Sequence, residues 1–304
     1  MDIIKAIASE LNVRNNQVEA AVKLIDEGCT IPFISRYRKE ATGALNDEQL
    51  RNLDERLKYL RNLEDKKAQV IASIAEQGLL TDELKNQIEK ADTMVAVEDL
   101  YRPYRPKRRT RATIAKEKGL EPLANIIMLQ MTGEPVVKTA EEYVSEEKDV
   151  KTPEDAVAGA KDIIAESISD NADYRTRIRE LTFKEGVLTS AAKDAEAKTV
   201  YEMYYNFSEP AAKMAGHRIL AVNRGENEKI LTVKIEAPVD KILAYLEKQI
   251  IVRDNQYTTG IIKEAIEDSY ERLIAPSIER EIRNQLTETA EAGAIKVFGK
   301  NLEQ

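Results

Sequence analysis

The sequence predicts a mainly α-helical protein of two or three packed units, and three observations support this fold class. Ala, Leu, Ile, Glu, Lys and Arg dominate the 304 residues, and all but the β-branched Ile are strong helix formers. Apolar residues recur at spacings of three and four along most of the chain. Only 12 Gly and 9 Pro occur, too few for many short strands and tight turns. We therefore expect a multi-helix arrangement with one long helix and one short antiparallel β-hairpin.

The long helix has the clearest boundaries. A short helix comes before it, with Asn15 as the expected cap and Gly28 as the stop, and residues 31–34 then break the helical pattern. Asn46 and Gln49 form a capping-box-like start of the long helix. Four leucines then share one helix face: Leu50, Leu53, Leu57 and Leu60. Gly78 is expected to end this helix after about 30 residues, a length of about 45 Å at 1.5 Å per residue.

The middle of the chain is divided by prolines. Pro103 and Pro106 exclude regular helix across residues 101–110, because proline fixes φ and restricts the preceding residue. Helix is expected again after Thr110 and from Pro122. Residues 134–155 carry eight acidic side chains against three lysines and are predicted to be a surface connector. A clear helix opens after it at residues 152–153, and helical patterning extends from 174 to 207 with an interruption near 186.

One segment has the periodicity of a strand. Between Lys229 and Glu236 apolar and polar residues alternate, which indicates a half-buried strand. We predict residues 217–222 as its hairpin partner and 223–228 as the turn. An isolated hairpin is marginally stable in water, so this one is expected to pack on helices. Helical patterns return at residues 242–251 and 258–274, and Pro276 is expected to kink or restart the last helix.

These elements predict two regions. Residues 1–205 form a helical region with a basic island at residues 101–118, and residues 206–304 hold the hairpin and the long C-terminal helices. Helical patterning continues to the last residues without a stop signal. We therefore expect the chain to be part of a longer protein, in which residues 206–304 lead to a further domain.

Charge is distributed unevenly along the chain. The net charge is −8, which argues against a general polyanion binder. Residues 102–118 nevertheless contain eight Arg or Lys against a single acid, Glu117. The sequence is therefore acidic with one basic island.

The core of that island, residues 101–111, is the strongest candidate site. Guanidinium groups bind phosphate oxygens in bidentate fashion, while Tyr101 and Tyr104 could stack on exposed bases. Pro103 and Pro106 stiffen the segment and so reduce the entropy lost on binding. The candidate phosphate-binding cations are Arg102, Arg105, Lys107, Arg108, Arg109 and Arg111. The alternative is a solvated loop whose cations pair with the acidic segment 134–155 or with helix C-termini.

A second, smaller basic cluster lies near the N-terminus. Arg36, Arg38 and Lys39 surround Tyr37 and are followed at once by Glu40. The three cations are further candidates for nucleic-acid contact. The same residues fit an amphipathic helix start with local ion pairs, and such surface pairs contribute little to stability.

No residue pattern indicates catalysis. The single histidine, His217, has no recognisable nucleophile or orienting group near it in sequence, and we expect it in the core or at the hairpin edge. The single cysteine, Cys29, excludes an internal disulfide and is expected to be a buried thiol. The carboxylates show no metal-ligand pattern, and no glycine-rich phosphate loop is present. We therefore expect no enzyme activity, no cofactor and no metal.

Two features bear on location. Residues 1–11 carry four polar or charged side chains and lack the apolar core of a signal peptide. No run of 18 apolar residues occurs, so no membrane span or membrane contact is expected. A soluble, cytoplasmic, monomeric protein is the expectation.

Specific motifs resemble those of the Tex (transcription accessory) family. The first spans residues 31–43, Ile-Pro-Phe-Ile-Ser-Arg-Tyr-Arg-Lys-Glu-Ala-Thr-Gly. The second spans residues 98–112 and continues at residues 119–124, and further similarity lies at 217–225 and 294–302. Together these stretches make the whole chain similar to the N-terminal region that precedes the family's RNase H-like (YqgF-type) domain.

The resemblance implies a bacterial protein associated with transcription. Family members continue with an RNase H-like domain, helix-hairpin-helix elements and an OB-fold RNA-binding domain, which lie beyond the similarity seen here. We expect a non-catalytic nucleic-acid-binding role with RNA or DNA as partner. The alternative is a helical scaffold that docks on the transcription or translation machinery, with RNA polymerase or the ribosome as its partner.

Overall fold

The structure is a computed structural model that describes the backbone of residues 2–303 and the side chains up to residue 295. Helices dominate it, and the described residues contain a single three-stranded antiparallel sheet. The predicted mainly α-helical class is therefore confirmed. The chain divides into two compact units, residues 1–105 and 106–304. The region boundary expected at residues 205–206 lies inside the second unit and stays a prediction.

All regular secondary structure among the described residues of the first unit is helical. Its core is one apolar cluster to which residues of every helix contribute. The helices are α1 (Ile3–Leu11), α2 (Asn15–Asp26), α3 (Ile31–Tyr37), α4 (Asp47–Glu76), α5 (Asp82–Lys90) and α6 (Met94–Tyr101).

Helix α4 confirms the predicted long helix. The Asn46 side chain accepts a hydrogen bond from the Gln49 N–H, and the Gln49 side chain accepts one from the Asn46 N–H. Gly78 follows the helix with a φ of 69°, a left-handed conformation that glycine adopts without steric strain. All four predicted leucines are buried, and further apolar residues continue the same face to Ile74. This face is the centre of the first unit.

Helix α3 corrects the expected break at residues 31–34. Pro32 stands in the first turn of the helix, where its missing N–H removes no hydrogen bond. Ile34 points into the core and is fully buried. The proline therefore starts a helix here.

The second unit combines helices with the sheet. Its α-helices are α7 (Arg111–Glu117), α8 (Glu121–Leu129), α9 (Val136–Ala140), α10 (Pro153–Asp170), α11 (Ala172–Glu185), α12 (Gly216–Asn227), α13 (Val239–Ile250), α14 (Thr259–Asp268) and α15 (Ala275–Glu303). Helix α10 lies at the centre and packs against α7, α8, α9 and α14. The acidic segment 134–155 is more than a surface connector, because Val136, Ala140 and Val150 are buried in this core.

The sheet confirms the predicted strand and corrects its partner. Strands β1 (Val187–Ala192), β2 (Asn206–Pro210) and β3 (Leu231–Glu236) pair in the order β2-β1-β3, and all pairs are antiparallel. The predicted hairpin with residues 217–222 is wrong, because these residues belong to α12. Buried Ile219, Val222 and Gly225 are three residues apart, which is a helical spacing. Strands β1 and β2 likewise replace the helical pattern expected after residue 186.

A glycine joins α11 to β1 at a point of close backbone approach. A Cβ atom on Gly186 would lie 2.2 Å from the carbonyl oxygen of Thr182. We expect Gly186→Ala to destabilise the second unit by about 1–3 kcal/mol, because backbone at the helix end must move. Urea denaturation followed by circular dichroism measures the change. Gly133→Ala is the control, since no atom lies within 4 Å of a Cβ at that position. Equal stability of both variants would contradict the predicted strain.

A fully buried arginine ties α11 to α15. The Arg175 Nη2 atom donates to the Ser277 Oγ atom at 2.7 Å and to a Glu281 carboxylate oxygen at 3.0 Å. The second oxygen of Glu281 accepts from Arg179 Nε at 2.8 Å. A charge-assisted network therefore lies inside the second unit.

Helices α14 and α15 are joined by one turn of π-helix, Ser269–Ile274. The backbone is helical from Thr259 to Glu303 without interruption. Pro276 lies at the start of α15, directly after this π-helical turn. The kink or restart expected at Pro276 therefore falls where the π-helical turn gives way to α15.

Candidate nucleic-acid interface

Residues 101–105 of the basic island belong to the first unit. The Tyr101 hydroxyl forms a 2.9 Å hydrogen bond with the Ser73 hydroxyl, and the Tyr104 carbonyl accepts one from Gln77 Nε2 at 3.0 Å. Both tyrosines are half-buried and pack on the core of this unit. Arg102 is half-buried, whereas Arg105 is exposed. Base stacking by the two tyrosines stays a prediction, and it would require their partly covered rings to open.

Residues 107–111 belong to the second unit. The Lys107 ammonium pairs with Asp170 and lies 3.6 Å from Glu166, and the lysine side chain is only 23% exposed. Arg108 is exposed. Arg109 pairs with Glu117 at 3.0 Å, but its side chain is 70% exposed. Lys107 is thus neutralised by carboxylates, while the two neighbouring arginines reach solvent.

Arg111 is the first residue of α7 and faces two carboxylates of α10 and α14. Burial raises the pKa of Asp162, and the positive charges of Arg272 and Arg111 oppose that rise. A hydrogen bond from Arg272 lowers the pKa of Asp268, and attraction to Arg111 adds to the effect. Arg111 is exposed, but part of its charge is compensated within the fold.

The second cluster forms a solvent-facing surface on α3 and the two residues that follow it. Arg36, Arg38 and Lys39 are exposed, and no carboxylate among the described residues forms an ion pair with them. The Arg38 guanidinium carbon lies 5.6 Å from the Phe33 ring centroid. The Phe33 and Tyr37 centroids are 5.4 Å apart, and the rings are 39% and 62% exposed. We call these five residues the α3 patch.

The sequence-based candidate list omitted Phe33 and did not treat Tyr37 as a stacking residue. Both lie on one helix face because they are four residues apart. That spacing was available in the sequence. We did not place Phe33 and Tyr37 on one face, because residues 31–34 were expected to be non-helical.

The single histidine and the single cysteine of the chain lie in different units. His217 is exposed in the first turn of α12, and Cys29 is half-buried beside the core of the first unit. Within the described part of the chain, no group of three His, Cys, Asp or Glu side chains could hold a metal ion. The described helices include none with the length and hydropathy needed to cross a membrane.

The fold and the surface charges together define this chain as a mainly helical, acidic protein with exposed clusters of cations. The chain belongs to the Tex family. The family model described as the Tex-like protein N-terminal domain matches residues 1–75, and the one described as Tex central region-like matches residues 132–298. The family resemblance of the sequence motifs is thereby confirmed.

Similar proteins occur in bacteria and in animals. A Bacillus subtilis protein named uncharacterized protein YdcI is 51% identical over 97% of this chain and 42% of its own length. The transcriptional accessory protein Tex of Neisseria gonorrhoeae is 39% identical over 99% of this chain and 40% of its own length. The human S1 RNA-binding domain-containing protein 1 is 30% identical over the whole chain and 32% of its own length. The chain thus spans about two fifths or less of these relatives.

Proposed function

We propose that this chain is the N-terminal part of a cytoplasmic transcription accessory protein and contributes non-catalytic binding of RNA or DNA. The observation that carries the proposal is the exposure of Arg105, Arg108 and Arg109 within the basic island. Two relatives are named for transcription and for an RNA-binding domain, which supports the same role. The chain acts as a monomer in this proposal.

Phosphate binding follows from the chemistry of these three side chains. A guanidinium group donates two parallel hydrogen bonds to phosphate oxygens and stays charged at every physiological pH. Phosphate contacts give affinity without sequence preference. The net charge of −8 limits non-specific attraction elsewhere on the chain, so binding is expected to concentrate at the exposed cations.

The test is the triple variant Arg105→Ala, Arg108→Ala, Arg109→Ala in the whole chain. We expect binding to a fluorescent single-stranded RNA to weaken by about tenfold or more at low salt. Each lost phosphate contact removes about 0.7 from the log–log salt slope, so the slope becomes less steep by about 2. Fluorescence anisotropy across a salt series measures both quantities. Stability should hardly change, because exposed charges contribute little to folding.

A control with the same change in net charge is Arg51→Ala, Lys58→Ala, Lys85→Ala on helices α4 and α5. All three side chains are at least half exposed. Binding is expected to stay within about twofold of wild type, since these cations lie outside the island. If both triple variants bind RNA and DNA as well as the wild type, the island is not a nucleic-acid site and the proposal is wrong.

The ion pairs of Lys107 favour the alternative function, a helical scaffold for the transcription or translation machinery. In that role the basic island is a protein-interaction surface, and RNA polymerase or the ribosome is the partner. Leu129 and Met131 of the second unit are large apolar side chains that are exposed, as docking surfaces require. Lys107→Met tests whether the ion-paired lysine takes part in RNA binding. It should lower stability and leave RNA binding unchanged if the exposed arginines are the site.

A further inference from the structure

The geometry points to the α3 patch as a binding platform for single-stranded nucleic acid, on which bases stack on Phe33 and Tyr37 while Arg36, Arg38 and Lys39 contact phosphates. This inference rests on the proposed function and deepens it. It names the form of nucleic acid, the residues that recognise it and a site in the first unit separate from the basic island.

Stacking requires aromatic faces that solvent can reach. Phe33 and Tyr37 are the aromatic side chains among the described residues with the largest exposure, at 39% and 62%. Exposed aromatic rings are unfavourable in the isolated protein, because a large apolar area stays in contact with water. The two ring centroids are 5.4 Å apart and the planes are tilted by 46°, so the rings form one continuous surface. Such a surface accepts unpaired bases, whose faces are hidden in a duplex.

The cations complete the chemistry of a single-strand site. Arg36, Arg38 and Lys39 flank Tyr37 along the chain and form no ion pair within the described residues. This distinguishes them from Lys107, which is neutralised by carboxylates. Arg38 already contacts the Phe33 ring, an arrangement in which its guanidinium group can bridge a stacked base and a phosphate. A purely apolar docking surface would not need these charges.

The backbone behind the cations is held in place before any ligand binds. Gln17 Nε2 donates to the Gly43 carbonyl at 2.8 Å, and the Thr42 hydroxyl donates to the Lys39 carbonyl at 3.2 Å. Gly43 and Ala44 both have positive φ angles, 61° and 65°. A left-handed alanine is a strained conformation that persists only where its surroundings fix it. Pre-organisation of this kind lowers the entropy lost on binding.

The experiment compares two fluorescent probes, a 12-nucleotide oligouridylate and a 12-unit abasic strand with the same phosphates. We expect the wild-type chain to bind the oligouridylate about tenfold or more tightly than the abasic strand, because only the former offers bases for stacking. The double variant Phe33→Leu, Tyr37→Leu keeps apolar side chains but removes the aromatic faces. It should bind both probes with the weak affinity of the abasic strand and with an unchanged salt slope.

Two further variants sharpen the test. Phe33→Tyr, Tyr37→Phe retains both rings and should bind like the wild type. The triple variant Arg36→Ala, Arg38→Ala, Lys39→Ala should weaken both probes equally and make the salt slope less steep by about 2. Circular dichroism confirms that each variant is folded.

The outcomes separate this inference from the proposed function. If the leucine variant binds the oligouridylate as tightly as the wild type, aromatic stacking is absent and the inference is overturned, while the basic island can still bind nucleic acid. If the wild-type chain binds neither probe, the proposed function and the inference both fail.

Discussion

Replacing Arg175 with alanine is expected to lower the free energy of unfolding of the second unit by about 2–5 kcal/mol. The arginine side chain is fully buried, and its Nη2 atom bonds to Ser277 and Glu281 on α15. Its removal leaves a cavity and takes away one of the two arginines that bond to Glu281, the other being Arg179. Urea denaturation with hydrogen exchange of α11 and α15 measures the loss.

Arg177→Ala on the same helix is the matched control. Arg177 pairs with Glu180 at 3.3 Å, but its side chain is 51% exposed. Surface pairs of this kind contribute about 0–1 kcal/mol, so this variant should be close to wild type. A similar loss in both variants would show that the arginine charge, independent of burial, controls stability of α11.

Leu57→Ala is expected to destabilise the first unit by about 2–5 kcal/mol. Leu57 is 2% exposed in the middle of α4, where its side chain is surrounded by the core of that unit. Truncation removes apolar contacts and leaves a cavity that the long helix cannot close by moving one end. Cys29 packs beside the same core and is the only cysteine of the chain, so its labelling rate in urea reports unfolding of the first unit.

Leu79→Ala provides the comparison for that variant. Leu79 is 52% exposed just after the end of α4. Its truncation should change the free energy of unfolding by less than about 1 kcal/mol. Labelling of Cys29 that is unaffected by Leu57→Ala would refute the role of this face as the core.

Helix boundaries were predictable where local side chains determine them. Asn46 and Gln49 cap α4 through contacts three residues apart, and Gly78 ends it through its own backbone freedom. The strand β3 was also predictable, because alternation is a local pattern. Its pairing was not, because the partner β1 is more than 30 residues away and its choice depends on packing. Residues 217–222, the predicted partner, lie in α12, and this helix packs against β3 where Gly225 approaches Leu231.

The candidate site was predictable in composition but not in geometry. The sequence identified the cations of residues 36–39 and 102–111 because charge clusters are visible without a fold. It could not show that Lys107 lies beside Asp170 and Glu166, residues about 60 positions away. Nor could it show which tyrosines are covered, because the burial of Tyr101 and the exposure of Tyr37 depend on tertiary packing.

The π-helical turn Ser269–Ile274 controls the rotational phase of α15. Six residues spaced by four along α14, the turn and α15 are all buried: Ile262, Ile266, Tyr270, Ile274, Ile278 and Ile282. In a regular α-helix with 3.6 residues per turn, each step of four overshoots a full turn by about 40°, so five steps would carry the row to the opposite side. The wider π turn absorbs part of this drift. Loss of one residue there would rotate α15 by about 100° and move Glu281 away from Arg175.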